Sequence, residues 1–133
     1  MLGVPVDLGR VDCPAYVFAA RDDHIVPWKT AYRSTGLLGG EIRFVLGASG
    51  HVAGVINPAS KNRRTHWTGQ SLPDEADTWL AGATERPGSW WGDWSAWLAD
   101  FGGGRAKARV KLGSAKYRPI DPAPGRYVRC RVA

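Results

Sequence analysis

Ala15-Tyr16-Val17-Phe18-Ala19-Ala20-Arg21-Asp22-Asp23-His24, followed by Glu41-Ile42-Arg43-Phe44-Val45-Leu46-Gly47-Ala48-Ser49-Gly50-His51, decides the fold class. The stretch from Val11 to Ala20, introduced by Pro14, ends in a short, apolar, β-prone run and predicts a buried strand. The second run alternates polar and apolar residues before turning wholly apolar, which predicts another strand. Between them Pro27 stands near the first turn of a helix with Trp28, Ala31, Tyr32, Thr35 and Leu38 on one face, stopped by Gly39-Gly40. Strand, helix and strand at this spacing predict a parallel pair joined by a right-handed crossover. Asp23 and His51 then follow the C-terminal ends of neighbouring parallel strands, the edge at which open α/β sheets build their sites. The turn Gly47-Ala48-Ser49-Gly50 before His51 draws on the freedom of its two glycines.

Outward from this unit, Asn57-Pro58 and Lys61-Asn62-Arg63-Arg64 read as a surface loop, and Asp74 to Gly82 as a short helix with acidic residues in its first turn. Ser89 is placed to cap a further helix whose apolar stripe is Trp90, Trp94, Trp97, Leu98 and Phe101, a pattern that marks core more often than a binding wall. Gly102-Gly103-Gly104 ends it, and the remaining stretch, with Pro119, Pro122, Pro124 and Gly125, reads as extended. The domain reading is therefore 1–101 as a folded portion and 102–133 as a basic, Gly/Pro-containing tail.

The 133 residues allow one modest core, and 44% hydrophobic with 23% charged residues exclude a disordered chain. No apolar run approaches a membrane span, and Met1-Leu2-Gly3-Val4-Pro5-Val6-Asp7 lacks the basic and apolar regions of a secretory signal. Cys13 and Cys130 lie too far apart in the sequence to suggest a disulfide framework, so a reducing, cytoplasmic setting is expected. The net charge of +6 is not spread evenly. Residues 1–101 hold nine Lys/Arg against eleven Asp/Glu, whereas residues 102–133 hold nine against Asp121 alone. A basic character confined to the tail weakens any nucleic-acid reading drawn from the whole-chain charge.

An Asp and a His at one sheet edge carry the acid and base of a nucleophilic triad, in which the imidazole takes the nucleophile's proton and the carboxylate fixes its tautomer. Their order matches the last two places of the α/β-hydrolase sequence nucleophile, acid, base. From spacing alone a second reading stands equally: Asp23 caps the next helix and His51 is a turn residue. His24 either orients the acid or is a polar residue at a helix start, and Asp22 competes with Asp23. His66, beside Trp67 in a basic loop, reads as a surface or packing residue. No three residues have metal-ligand spacing.

Asp23-His24-Ile25-Val26-Pro27-Trp28 and Gly47-Ala48-Ser49-Gly50-His51-Val52-Ala53-Gly54-Val55-Ile56-Asn57-Pro58 closely resemble the C-terminal catalytic segments of poly(3-hydroxyalkanoate) synthases. The resemblance continues through Lys61-Asn62-Arg63-Arg64-Thr65-His66-Trp67, Gly88-Ser89-Trp90-Trp91, Asp93-Trp94 and Pro122-Ala123-Pro124-Gly125-Arg126-Tyr127-Val128. The form from Gly50 to Pro58 is most similar to the class I synthases, which favour short-chain 3-hydroxyacyl-CoA substrates. The resemblance implies the C-terminal part of an α/β-hydrolase fold, parallel strands with a crossover helix, followed by helices and an extended basic tail.

It further implies that Asp23, second of the acidic pair, is the acid and His51 the base of an acyltransferase that polymerises 3-hydroxyacyl-CoA. The implied partners are the growing polyester, the N-terminal remainder of the synthase, a second copy in a homodimer, and the surface of a cytoplasmic granule. No cofactor is implied. The family's nucleophile is a Cys in a Gly-x-Cys-x-Gly elbow, which this chain lacks. Cys13 precedes a Pro at a strand start, where packing is expected, and Cys130, between Arg129 and Arg131, lies outside any elbow, although its basic neighbours favour a thiolate. The isolated chain is therefore expected to be inactive. Two rival readings are an esterase or lipase of the same fold, separated by the elbow residue, and a polyanion-binding module built on the tail, with Tyr117 and Tyr127 among its cations.

Overall fold

A computed structural model describes Gly3 and residues 5–131. Apart from Gly3, the segment Met1 to Val4 examined for a signal, and the last two residues of the tail, lie outside the described residues. The chain forms two compact units, Met1–Gly102 and Gly103–Ala133.

The first unit is mixed α/β. Its strands are β1 (Ala15–Ala20), β2 (Ile42–Gly47), β3 (Thr65–Thr68) and β4 (Thr84–Pro87), in one sheet of order β1-β2-β3-β4. The helices are α1 (Trp28–Tyr32), α2 (Ala76–Gly82) and α3 (Trp91–Phe101). β1 and β2 are parallel, with Phe18 opposite Val45 and Ala20 opposite Gly47, and α1 with a 3-10 turn over Arg33–Gly36 makes the crossover. This is the arrangement expected from the two apolar runs. The strand is shorter than the stretch from Val11 suggested: it begins at Ala15, and only Ala19 and Ala20 are fully buried.

The sheet then departs from the parallel expectation. β3 runs antiparallel to β2, with Leu46 opposite Trp67, and β4 runs antiparallel to β3. Both are four-residue strands. Thr65-His66-Trp67-Thr68 and Thr84-Glu85-Arg86-Pro87 carry too little apolar alternation to announce themselves. They are strands because the far edge of β2 offers unpaired backbone groups that must find partners when buried.

Strand alternation sends side chains to two faces. Val17, Ala19, Phe44, Leu46 and Trp67 meet Trp28 and Tyr32 of α1 and Ala76 and Trp79 of α2. Trp79 is central: its ring lies 4.7 Å from Phe44 in edge-to-face geometry and 5.8 Å from Tyr32. On the opposite face Tyr16 and Phe18 meet α3, with the Phe18 and Trp90 rings stacked at 4.0 Å. Gly47 permits that approach, since a Cβ there would stand 2.7 Å from the Phe18 ring. Among the described residues no helix is long and apolar enough to cross a membrane.

In the second unit the backbone is irregular apart from a 3-10 turn at Tyr127–Arg129, in keeping with its Pro and Gly content. Its apolar residues, Val110, Leu112, Ile120 and Tyr127 among them, are exposed.

Candidate active site

The parallel ladder does not stop at the strand ends. The Arg21 N–H donates to the Gly47 carbonyl at 2.8 Å and the Asp22 N–H to the Ser49 carbonyl at 3.0 Å. These two bonds carry the loop after β1 alongside the loop after β2, so residues 28 positions apart become neighbours. The left-handed residue of the second turn is Ser49, at φ 78°, and not Gly47 or Gly50. A non-glycine residue in that region costs about 1–3 kcal/mol and gathers at sites where the surroundings overdetermine the backbone.

At the end of the two loops His51 Nδ1 lies 2.8 Å from Asp23 Oδ2. The other carboxylate oxygen, Oδ1, accepts the Ile25 N–H at 2.8 Å and the Val26 N–H at 3.0 Å. The Val26 N–H above all, with His51 and the Ile25 N–H, outweighs the opposing effect of desolvation and holds the Asp23 carboxyl down at about 2. Asp23 is therefore ionised at neutral pH and can only accept, so the proton of the contact sits on Nδ1 of His51. In the neutral ring Nε2 is then left with a free lone pair. The Asp23 side chain is 8% exposed and that of His51 45%, which leaves the imidazole open on one side. A cavity of about 210 Å³ adjoins the pair, walled largely by apolar side chains including Phe18, Ala20, Val26, Ala31 and Val55.

Asp22 and His24 are exposed, and no hydrogen bond joins either side chain to Asp23 among the described residues. The backbone N–H groups of Ile25 and Val26, not His24, orient the Asp23 carboxylate. Asp23 anchors the turn ahead of α1 through these bonds but does not cap the helix, whose N-cap is Pro27 without a side-chain hydrogen bond; one carboxylate oxygen holds the turn and the other faces His51. Cys13 and Cys130 are both exposed, which corrects the packing expected of Cys13: it sits ahead of the strand and outside the core. His66 is buried, its Nδ1 hydrogen-bonded to the Gly88 carbonyl at 3.1 Å, and serves packing between β3 and the turn before α3.

Two groups of residues carried no signal in the sequence for what they do. Asp93 accepts the Tyr16 hydroxyl at 2.9 Å and the Arg43 Nε at 2.8 Å, with a second Arg43 nitrogen on its other oxygen, and so ties α3 to both parallel strands. Burial pushes the Asp93 carboxyl up, but the bonds from Arg43 and Tyr16 outweigh it and leave it below its ordinary value. The loop from His51 to Asn57 is held from the start of α3: Ser89 Oγ donates to the Asn57 carbonyl, Trp90 Nε1 to Gly54 and Trp91 Nε1 to Val55. Ser89 Oγ also accepts the Trp91 N–H at 3.1 Å, but the N-cap position of α3 is Trp90, one residue later than expected, and carries no side-chain cap.

No protein-family model matches the chain. Over 129 residues it is 58% identical to the poly(3-hydroxyalkanoate) polymerase subunit PhaC of Cupriavidus necator, covering 97% of this chain and 22% of that protein. It is 43% identical over 126 residues to the subunit of the same name from Rhizobium etli, covering 95% of this chain and 20% of the relative. Poly(3-hydroxyalkanoate) polymerase 1 of Ectopseudomonas oleovorans is 40% identical over 126 residues, again 95% of this chain and 22% of the relative. The chain thus spans about a fifth of the length of the curated relatives it matches. With agreement along nearly its whole length, it belongs to the poly(3-hydroxyalkanoate) polymerase family, corresponding to that fifth of its longer members.

Proposed function

We propose that this chain is the acid–base portion of a poly(3-hydroxyalkanoate) synthase, residues 1–101 being the C-terminal part of an α/β-hydrolase-type catalytic domain and 102–133 a basic tail. The observation that carries the reading is the Asp23–His51 contact at the shared edge of two parallel strands, in a chain 58% identical to a polymerase. The fold reading draws support from β1, which pairs only with β2 among the described residues and offers its other edge to further strands.

In the proposed reaction His51 Nε2 takes the proton of a Cys supplied by the preceding part of the synthase. The thiolate attacks the carbonyl carbon of a 3-hydroxyacyl-CoA thioester. A carbon–sulfur bond to the enzyme forms as the bond to CoA breaks, and the proton held by His51 passes to the departing CoA thiolate. His51 next takes the proton of a 3-hydroxyl group that attacks the carbonyl carbon of an acyl thioester; the new carbon–oxygen ester bond forms as the carbon–sulfur bond breaks, and the proton held by His51 passes to the departing thiolate. Asp23 acts through His51: one of its oxygens is engaged by backbone N–H groups and the other by Nδ1. The apolar cavity beside the pair suits the short alkyl group of a substrate such as 3-hydroxybutyryl-CoA. The intact enzyme works as a homodimer at the surface of cytoplasmic polyester granules. The reaction so written calls on no metal or redox cofactor.

The test replaces the matching segment of the Cupriavidus necator polymerase with this chain and follows CoA release from 3-hydroxybutyryl-CoA. The hybrid is expected to be active, and His51→Ala or Asp23→Asn within it to lower kcat by ~10²–10⁴-fold. A hybrid that keeps its rate with His51→Ala refutes the reading. The 133-residue chain alone is expected to release no CoA; release abolished by Cys130→Ser would move the nucleophile to the tail.

A further inference from the structure

The loop bearing His51 has little internal support. Its turns are closed by the Gly54 N–H on the Gly50 carbonyl at 2.7 Å and the Ile56 N–H on the Val52 carbonyl at 2.8 Å. The His51 side chain is too exposed for packing to fix it, and its orientation over Asp23 follows from the path of this loop. Three consecutive residues at the start of α3 reach that path. Trp90 Nε1 meets the Gly54 carbonyl at 3.1 Å, Trp91 Nε1 meets the Val55 carbonyl at 3.0 Å, and Ser89 Oγ meets the Asn57 carbonyl.

Gly54 and Asn57 are buried, so their carbonyls need protein partners, whereas water would serve the exposed Val55 equally well. The arrangement does more at Trp90. Its ring stacks on Phe18 of β1, the strand that leads to the acid, while its N–H holds the loop that carries the base. One side chain therefore spans the supports of both members of the pair. Ser89 is itself set in place, its N–H donating to Asn62 Oδ1 at 3.0 Å. Catalytic groups must be held to a fraction of an ångström, and hydrogen bonds from a packed element behind them are the usual means.

We infer that Ser89, Trp90 and Trp91 are positioning residues for His51: the start of α3 clamps the loop carbonyls and thereby holds the imidazole with Nδ1 on Asp23 and Nε2 free. The inference rests on the reading of Asp23 and His51 as a working pair. The indole N–H groups are the active parts, so Trp→Phe, which keeps an aromatic ring and deletes the donor, is the discriminating change.

The experiment is long-range ¹H–¹⁵N correlation on the imidazole of the 133-residue chain at about pH 8, where an ordinary imidazole is neutral. In the native chain His51 is expected to be held as the Nδ1–H tautomer. Trp90→Phe with Trp91→Phe is expected to shift it toward the Nε2–H form that free imidazole side chains prefer, with Asp23 untouched. A folded double variant with an unchanged His51 tautomer overturns the inference. If the double variant loses its cooperative melt, Trp91→Phe alone decides in the same way, since that ring is only half-buried. Asp23→Asn separates the two readings. If it leaves His51 as found in the native chain, the pairing itself fails and the clamp fails with it; if it moves the tautomer while the indole variants do not, only the clamp fails.

Discussion

The two faces of the sheet are finished to different degrees. Against α1 and α2 the side chains close completely: Tyr32, Phe44, Leu46 and Trp79 are all within 2% of full burial. Against α3 the same strands present Tyr16 and Phe18, which are only half-buried, and α3 itself has no fully buried residue. Beyond the contact, Trp94, Leu98 and Phe101 are 39%, 41% and 55% exposed. The first face resembles the interior of a finished domain. The second is held by specific polar ties: Asp93 with Tyr16 and Arg43, and the indole N–H groups of Trp90 and Trp91. Stability and site geometry are thus assigned to opposite sides of one sheet. Apolar burial supplies the first without directional precision, and hydrogen bonds supply the second because they are directional.

The sharpest break of this contrast is at Trp79. Trp79→Ala removes the ring about which Trp28, Tyr32 and Phe44 pack, and is expected to cost ~3–5 kcal/mol in a denaturant or thermal melt. Trp94→Ala on the other side should cost about 1 kcal/mol or less. Equal losses would erase the distinction between the faces. Among the described residues the buried Trp79 Nε1 has no hydrogen-bond partner, so Trp79→Phe should cost far less than Trp79→Ala.

A middle-sized effect is expected at Asp93. Asp93→Asn weakens the ties to Tyr16 and Arg43 and should cost ~1–3 kcal/mol at neutral pH. The sign of its pH dependence follows from the lowered folded-state value. The Asp93 contribution is complete above the unfolded carboxyl value of about 4 and is lost as pH falls through the lower folded value. The difference between native and variant melts should therefore shrink as the solution is acidified. A gap that is the same at pH ~7 and below pH ~2 would show that the carboxylate charge is not what binds α3.

The smallest effect on stability is expected at the outer side of α3. Leu98→Ser with Phe101→Ser should change the melt by about 0.5 kcal/mol per site or less, since both side chains already meet solvent. The same change should lower self-association and the binding of a hydrophobic dye, because exposed apolar area drives both. A large loss of stability without any change in dye binding would show that this side is covered in solution after all.

Several parts of this molecule were legible before any coordinates. The apolar runs at Tyr16–Ala20 and Phe44–Leu46, with a helix between them, specified the parallel pair and thereby the juxtaposition of Asp23 and His51. The short helix ahead of Gly82 was announced by its acidic first turn, and α3 by its aromatic stripe. What was not legible depended on partners distant in the chain. Asn57 read as a loop residue, yet it is buried and bonded to the Arg63 carbonyl and to Ser89. The turn Gly47-Ala48-Ser49-Gly50 read as permissive through its glycines, but Ser49 takes the left-handed conformation, and Gly47 is needed for the approach of the Phe18 ring.

By itself the sequence determined the strand–helix–strand unit and the placing of Asp23 and His51 after its two strands, because those depend on local periodicity and on a single crossover. Only the tertiary structure decided the antiparallel β3 and β4, which exist as strands through pairing with the free edge of β2. It also decided which oxygen of Asp23 faces His51, and that Ser89, Trp90 and Trp91 grip the loop behind it. The physical reason is common to all of these. A hydrogen bond between residues far apart in the chain leaves no periodic trace in either segment, and it forms only when packing has brought donor and acceptor to within about 3 Å of each other.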